Sequence, residues 1–356
     1  MMRQLARHLG RRKSSGSSLE EGSVQTRLSF PRPGTVELEE FAAEPPQPGR
    51  VAIRTHYSLM SPGTELTVLE SDFEPGTHWE RYALFPFRPG YSAVGVVVAC
   101  GDGVVDLKVG DRVAFRAPHT SYHVTSVVKC TRIPAGVELT AAVWFALAKI
   151  GYVGAQVAKH GARDSVVVIG AGPIGQMSVR WASVSATRAI VAVARSATRL
   201  ELARRGGATD VVQVDVETGT EAVRERLAGE QPDIVIDATG NPAVLPAALR
   251  LVRDHGRVVV LGDTGMPSKQ HLTSDLVVRG IEIVGAHDSH VPAGDAEKPV
   301  NELFFELVSS GRFNLEGLNT HTLPPTDCVN AYAVARDGRS ETIGVVFDWR
   351  ARPSGA

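Results

Sequence analysis

The feature that most constrains the fold is a regular alternation of short apolar runs and helix-like segments in the second half of the chain. Six runs are suited to strands, and they read SVVVIG, AIVAVA, DVVQV, DIVIDATG, RVVVLG and IEIVGA. Their nearly continuous apolar character is typical of strands that are buried on both faces of a sheet. Because helical segments separate them, the sequence predicts an α/β fold whose doubly wound parallel sheet ends near Ala286.

A glycine-rich turn follows the first of these runs. Gly170, Gly172 and Gly175 have the G-x-G-x-x-G spacing, and Pro173 and Ile174 separate the second glycine from the third. Such glycines allow a tight turn, a close approach of the backbone to a diphosphate, and close packing of the next helix on the sheet. Since this turn joins a strand to a helix at the start of the alternation, it predicts a Rossmann domain that binds a dinucleotide.

The end of the second run bears on which dinucleotide is bound. NAD sites usually carry an acidic residue there, which accepts a hydrogen bond from the ribose 2′-hydroxyl. Ala194 stands at that place instead and is followed by Arg195, Ser196 and Arg199. Because no carboxylate would repel a 2′-phosphate and Arg195 can bind one, we predict that the cofactor is NADP(H). The alternative is that these arginines are only the solvated start of a helix.

The composition argues against several other classes of protein. The formal net charge of -1 provides no electrostatic attraction to nucleic acid or to an anionic membrane. No apolar run approaches the roughly 20 residues that are needed to cross a bilayer. Three widely spaced cysteines favour neither a disulfide framework nor a structural zinc site. We therefore expect a cytoplasmic protein that acts on a small molecule.

The segments around the alternation have a different character. Residues 1–23 combine arginines and serines with little apolar content, which indicates a disordered, solvated extension rather than a targeting or nucleic-acid-binding arm. From Val24 onward, short strand-like runs separated by glycine and proline predict a β-rich domain. The run LTAAVWFALAKIGYVGAQVAK then shows helical spacing.

From about Val24 to Trp349 the chain resembles the medium-chain dehydrogenase/reductase superfamily. The resemblance lies in the segments PPQPGRVAIRTHYSLMSPGTE, RPGYSAVGVV, VGDRV, DATGNP and LPPTDCVNAYAVARDG and in the glycine-rich turn. It implies a GroES-like catalytic domain at 24–150, a Rossmann domain at 151–290, and a closing part of the catalytic domain at 291–350. The active site would lie in the cleft between the two domains, and we expect a homodimer.

The chain departs from the zinc-dependent members of that superfamily at their ligand positions. Ser61, in LMSPGTE, replaces the metal-binding cysteine, and one residue is inserted after it. Gly90, Tyr91 and Ser92 replace the Gly-His-Glu of zinc enzymes, and the lobe with four close cysteines is missing. Because hydroxyl groups are poor zinc ligands beside thiolate and imidazole, we predict that the protein has no zinc.

Without a metal, another group must polarise the carbonyl or donate the proton. Thr64 matches the hydroxyl residue that relays a proton in zinc members, and Tyr91 lies on the vacated metal position. We therefore name Thr64, Tyr91, Ser61 and Glu65 as candidate catalytic residues. Tyr91 is equally consistent with a packing role, and Glu65, which would need a partner if buried, is more typical of a structural residue.

Further polar residues lie near the expected cleft. Thr239 and Gly240 follow the fourth strand, and Gly262 and His287 follow the fifth and sixth. By resemblance these loops contact the ribose and the nicotinamide. His119 and His123 lie in a stretch that often borders the substrate pocket, although a structural or surface role is the simpler interpretation of each.

The SPGTE segment resembles a zinc-free branch that includes the bacteriochlorophyllide dehydrogenase and related enzymes of secondary metabolism. Our first hypothesis is a zinc-independent oxidoreductase that interconverts a secondary alcohol and a ketone on a polyol, sugar-like or specialised-metabolite substrate. The second is an NADPH-dependent quinone or enoyl reductase. The third, from a different class, is a non-catalytic NADPH-binding sensor.

Overall fold

The computed structural model describes residues 22–351. The first part of the chain supplies two antiparallel strands that pair with each other and five strands of a larger sheet. In chain order these strands are β1 (Val24–Ser29), β2 (Glu37–Ala42), β3 (Arg50–Leu59), β4 (Ala93–Cys100), β5 (Arg112–Phe115), β6 (Tyr122–Ser126) and β7 (Cys130–Arg132). The helices between and after them are α1 (Pro62–Glu70), α2 (His78–Tyr82), α3 (Leu139–Ala142) and α4 (Phe145–Ala158).

The second part forms a six-stranded sheet in which all strands are parallel. The spatial order β10-β9-β8-β11-β12-β13 reverses direction between β8 and β11, as doubly wound sheets do. The strands are β8 (Ser165–Ile169), β9 (Ala189–Ala194), β10 (Asp210–Gln213), β11 (Ile234–Asp237), β12 (Arg257–Val260) and β13 (Glu282–Gly285). The helices are α5 (Pro173–Val184), α6 (Ala197–Arg205), α7 (Thr220–Glu225), α8 (Val244–Leu251) and α9 (Asp275–Val278).

The last part returns to the first sheet. It contains α10 (Lys298–Ser309), β14 (Asn319–Leu323), α11 (Cys328–Asp337) and β15 (Gly344–Asp348). β15 pairs antiparallel with β3, so the larger sheet has the order β14-β15-β3-β4-β5-β7, with β6 also paired to β3. The predicted fold class is therefore confirmed: a parallel Rossmann sheet is inserted in a β-rich domain. The exact boundaries at 150 and 290 stay a prediction.

One segment differs from the sequence prediction, and another lies almost entirely outside the described residues. The single helical run predicted from Leu139 onward is divided into α3 and α4, because the Val143 carbonyl accepts a hydrogen bond from Ser92 Oγ and the buried Trp144 is held by Asn319. The predicted extension 1–23 lies outside the described residues except for Gly22 and Ser23, which form main-chain hydrogen bonds with Ala43. Among the helices of residues 22–351, none is long and apolar enough to cross a bilayer.

Candidate active site

Two hydroxyl side chains meet at the position where zinc-dependent enzymes of the resembled family carry ligands. Ser61 follows β3 and Tyr91 precedes β4, and these strands are paired so that Ser58 lies opposite Ala93. The register brings the two side chains together, and Tyr91 Oη donates a hydrogen bond of 2.7 Å to Ser61 Oγ. Ser61 is buried and Tyr91 is half-buried. The structure thus joins two of the predicted catalytic residues, although they are distant in sequence.

Glu65 lies directly behind this pair and is almost completely buried. Its Oε1 accepts a hydrogen bond of 2.7 Å from the Ser61 amide, which closes the first turn of α1. Its Oε2 accepts a hydrogen bond from Tyr332 Oη and lies 3.1 Å from His119 Nε2. The expectation that a buried Glu65 would need a partner is therefore confirmed. Glu65 holds the backbone of Ser61 in place.

His119 is more buried than the sequence suggested. Its side chain is 0% exposed, and Glu65 beside it is 1% exposed. On its other side, His119 Nδ1 lies 2.7 Å from Ser58 Oγ, which also accepts a hydrogen bond of 2.8 Å from Trp349 Nε1. Because all of its polar atoms are used inside the protein, His119 is a structural support for α1.

A cluster of four charged side chains lies on the other side of Tyr91. Arg116, which follows β5, donates hydrogen bonds of 2.9 and 2.7 Å to Glu297 Oε1 and one of 3.0 Å to Asp288 Oδ1. Lys149 on α4 lies 3.1 Å from Asp288 Oδ1 and 3.7 Å from Glu297 Oε1. We call these four residues the charge cluster. The guanidinium carbon of Arg116 lies 5.4 Å from the centroid of the Tyr91 ring.

Sequence reasoning did not identify the charge cluster. Arg116 and its carboxylate partners are more than 170 positions apart, so no local pattern connects them. One signal was present: Lys149 is the only charged residue within the apolar segment FALAKIGYVGA, and in the structure it is 1% exposed. A buried lysine needs a paired carboxylate, and the charge cluster supplies two.

Burial dominates the electrostatics of Tyr91. Removal from water raises the pKa of the Tyr91 phenol, because the phenolate would be poorly solvated. The hydrogen bond to Ser61 and the charge of Arg116 act in the opposite direction and lower that pKa. At neutral pH the residue is therefore a protonated phenol that can donate.

Three further residues that the sequence singled out lie on other elements or later in α1. Thr64 is the third residue of α1. His123, on β6, stacks on Phe115 with ring centroids 5.8 Å apart, and burial lowers its pKa to about 4. His287 is exposed, and its Nδ1 lies 2.8 Å from Ser289 Oγ.

The glycine-rich turn has the geometry of a phosphate-binding loop. Gly170 follows β8 with a φ of 95°, and a Cβ on Gly175 would lie 1.7 Å from the Gly170 carbonyl oxygen, so the turn excludes larger residues. Gly172 precedes Pro173, the first residue of α5. A Cβ on Gly172 would meet only Arg199, at 3.5 Å, which leaves space above the N-terminus of α5. These residues fit a diphosphate group.

The end of β9 presents basic and hydroxyl groups. Ala194 ends the strand and Arg195 is exposed. Ser196 caps α6 by accepting a hydrogen bond from the Arg199 amide, and it donates one of 2.6 Å to the Ser340 carbonyl. Arg199 donates to the Thr342 carbonyl at 2.6 Å, and its pKa is lowered by burial and by the nearby Arg339. The segment before β15, which the sequence analysis overlooked, therefore borders this site.

The loops after β11 and β12 meet above the sheet. Asp237 ends β11 and accepts hydrogen bonds from the amide and hydroxyl of Thr239 at 2.9 and 2.6 Å. Burial raises the pKa of Asp237 to about 6. A Cβ on Gly262 would lie 2.3 Å from the Gly240 amide nitrogen. Thr239, Gly240 and Gly262 thus lie together at the carboxyl edge of the sheet, where such folds bind ligands.

The residues at the expected zinc position supply side chains that fit zinc poorly. Ser61 and Tyr91 supply hydroxyl groups that are hydrogen-bonded to each other, and hydroxyls are poor zinc ligands. Across residues 22–351, no group of three or more histidine, cysteine, aspartate or glutamate side chains is arranged to hold a metal ion.

Two family models match this chain. One, described as an alcohol dehydrogenase GroES-like domain, matches residues 47–171, and the other, described as a zinc-binding dehydrogenase, matches residues 173–303. The chain belongs to the medium-chain dehydrogenase/reductase superfamily. It is an oxidoreductase of that superfamily, as its sequence motifs indicated.

Individual proteins agree with this assignment. An L-threonine 3-dehydrogenase of Bacillus licheniformis is 29% identical over 181 residues, so the match spans about half of that relative (51% of each chain). A sorbitol dehydrogenase of Gallus gallus is 25% identical over 352 residues. This match covers 89% of this chain and 95% of that relative. This chain also has the fold of an Escherichia coli alcohol dehydrogenase whose structure was solved in complex with NADH. The TM-score is 0.78, the sequence identity is 20%, and the match covers 92% of this chain and 100% of that one.

Proposed function

We propose that this medium-chain dehydrogenase/reductase interconverts a secondary alcohol and a ketone with NADP(H) and without zinc. The substrate class that we propose is a polyol, a sugar-like compound or a specialised metabolite. The observation that carries the proposal is the hydrogen bond between Tyr91 and Ser61, which fills the metal position with a proton donor. The names of the relatives, a threonine and a sorbitol dehydrogenase, support a substrate that carries a hydroxyl group.

The bound nicotinamide cofactor would donate or accept the hydride. The residues of the glycine-rich turn would hold its diphosphate, with Arg199 beside them. Arg195, exposed at the end of β9 with no acidic residue at Ala194, would bind a 2′-phosphate. Thr239, Gly240, Gly262 and His287 would border the ribose and nicotinamide. NADP(H) is the cofactor that this set of charges favours.

Tyr91 and Ser61 would handle the proton. When a ketone is reduced, negative charge develops on its oxygen, and a donor close to that oxygen lowers the barrier. The Tyr91 phenol is protonated at neutral pH because burial raises its pKa. It either donates directly or donates to Ser61, whose own hydroxyl proton then passes to the substrate. In alcohol oxidation the transfer would run in reverse, to a phenol that has first given its own proton to the solvent.

Turnover with a small panel of substrates tests this function. The panel contains cyclohexanol, 2,3-butanediol and sorbitol with NADP⁺, and the corresponding ketones, a benzoquinone and an enone with NADPH. We expect alcohol and ketone to be interconverted. Reduction of the quinone or of the enone double bond alone would support a quinone or enoyl reductase instead, and NADPH binding without turnover of any compound would support a sensor.

A further inference from the structure

We propose that three polar side chains, His78, Asp263 and His287, bind a hydroxyl group of the substrate beside the one that reacts. This inference rests on the proposed function and narrows it, because it selects a substrate with neighbouring hydroxyl groups, such as a polyol or a sugar. It gives His78 and Asp263 a role that neither cofactor binding nor proton transfer supplies.

The three side chains come from distant parts of the chain and meet at one place. His78 begins α2 in the first part of the chain, Asp263 follows β12, and His287 follows β13. His78 Nε2 lies 3.0 Å from Asp263 Oδ2, and the ring centroids of His78 and His287 are 6.4 Å apart. The group therefore joins the GroES-like domain to the carboxyl edge of the Rossmann sheet, where such folds bind ligands.

Neighbouring contacts place this group between the cofactor loops and the hydroxyl pair. The Asp263 carbonyl oxygen would lie 2.7 Å from a Cβ on Gly240, in the loop after β11. On the other side, His287 is followed by Asp288, which accepts a hydrogen bond from the arginine of the charge cluster. The guanidinium carbon of that arginine lies 5.4 Å from the centroid of the Tyr91 ring. A substrate that reaches both Tyr91 and the nicotinamide lies along this path.

The exposure of the three residues suits them to bind a ligand. The side chains of His78 and Asp263 are 50% and 41% exposed, and His287 is also exposed. In the charge cluster, by contrast, Lys149 is 1% exposed and Glu297 is 5% exposed, and they are paired inside the protein. The polar atoms of His78, Asp263 and His287 are therefore accessible to a substrate.

The segment that carries His78 is fixed against the Rossmann domain. The Glu74 amide donates a hydrogen bond of 2.8 Å to the Gly265 carbonyl, and the Glu74 carboxylate accepts one of 3.1 Å from the Ser268 amide. These contacts lie within a few residues of His78 on one side and of Asp263 on the other. The position of the two side chains relative to each other is thus set before a substrate arrives.

A carboxylate beside imidazole rings suits a substrate with neighbouring hydroxyl groups. The two oxygens of Asp263 can accept hydrogen bonds from two hydroxyls, and an imidazole can donate or accept one. A site that binds a substrate hydroxyl in this way discriminates against an analogue that lacks it, because the polar groups of the site then lose their partner.

Pairs of substrates that differ by one hydroxyl group test the proposal. We would measure kcat and KM with NADP⁺ for 2-butanol and 2,3-butanediol, and for cyclohexanol and 1,2-cyclohexanediol. The parent should prefer the diol of each pair in kcat/KM by about tenfold or more. Asp263→Asn and His78→Phe should remove most of this preference, chiefly by raising KM for the diols, and should change kcat/KM for the monohydric alcohols by less than about threefold. His78→Gln, which keeps an amide that can donate, should restore part of the loss.

Controls separate the possible outcomes. Asp254→Asn makes the same change before the amino end of β12, where Asp254 is exposed and paired with Arg279, and should leave the preference for diols unchanged. Thermal unfolding and NADPH affinity report whether each variant is folded. A parent without preference for the diols, or variants that lose activity equally on both members of a pair, would overturn this inference, while turnover of the alcohols would leave the proposed function standing. No turnover of any alcohol would overturn both.

Discussion

Tyr91 Oη donates a hydrogen bond of 2.7 Å to Ser61 Oγ, and Ser61 is held from behind through its amide by the carboxylate of Glu65. Ser61 therefore connects Tyr91 to α1, and Glu65 anchors the start of that helix. This arrangement distinguishes residues that should affect catalysis from residues that should affect stability.

Removal of the phenol hydroxyl should abolish most of the activity. We expect Tyr91→Phe to lower kcat by about 10²-fold or more, the usual scale of general acid–base catalysis, because both proposed proton routes begin at the phenol. Steady-state assays measure this, and NADPH affinity should stay near the parent value because Tyr91 lies outside the phosphate loop. Ser61→Ala distinguishes the two proton routes: a comparable loss indicates transfer through Ser61, and a small loss indicates direct donation.

The effect of Thr64→Val on kcat should be compared with that of Tyr91→Phe. The sequence made Thr64 the first candidate for the proton relay, and this stays a prediction. If Tyr91 carries the proton, Thr64→Val should lower kcat by less than about tenfold. A loss as large as that in Tyr91→Phe would support Thr64 as the proton carrier and would count against the role given to Tyr91.

Glu65 should be important for stability. Glu65→Gln removes the buried carboxylate with which His119 and the Tyr332 hydroxyl are paired. Breaking such buried networks costs about 3 kcal/mol of unfolding free energy. Denaturant unfolding measures this loss. Glu70→Gln, at the exposed end of the same helix, is the control and should change stability by less than about 0.5 kcal/mol.

Asp237 should make the protein less stable as pH rises. Burial raises the pKa of Asp237 in the folded protein to about 6, from 3.8 in an exposed chain, so between these values the folded protein keeps the proton while the unfolded chain has lost it. Unfolding free energy should therefore fall from about pH 4 to pH 6 and remain lower above that. Asp237→Asn keeps the acceptor for Thr239 and should stabilise the protein by about 2 kcal/mol at pH 7.

The neighbouring Asp233 supplies a control of opposite sign. Hydrogen bonds from Ser165 and Arg253 outweigh burial and lower the pKa of Asp233, so Asp233→Asn should destabilise the protein at neutral pH. Both variants are measured by denaturant unfolding at pH 5 and pH 7. If Asp237→Asn fails to raise the free energy of unfolding at pH 7, the Asp237 carboxylate is better solvated than its burial indicates.

We expect the preference for NADPH over NADH to depend on Arg195. Fluorescence titration should show tighter binding of NADPH than of NADH, and Arg195→Asp should weaken NADPH binding by about tenfold or more, since charge-assisted hydrogen bonds contribute about 1.5–3 kcal/mol. Arg204→Asp makes the same charge change at the exposed far end of α6 and should leave the preference intact. Equal affinities for both cofactors in the parent would contradict this assignment.

The sequence predicted those parts of the fold and site that depend on local pattern. The six strands and the turn Gly170–Gly175 could be identified because apolar runs and glycine spacing are short-range signals. The need of Glu65 for a partner was also clear, but the identity of the partner was not, because His119 lies 54 positions away. The pairing of Arg116 with Glu297 spans 181 positions and depends on the packing of β5 beside the segment that follows β13.

The most direct test of the account is the turnover of the parent protein before and after dialysis against a chelator, with zinc content determined on the same samples. Ser61 and Tyr91 stand at sequence positions where zinc-dependent members of the family carry ligands, and their hydroxyls are hydrogen-bonded to each other. We predict far less than one zinc per chain and the same kcat for alcohol oxidation in both samples. One zinc per chain, with activity lost on its removal and regained when zinc is added back, would contradict the account.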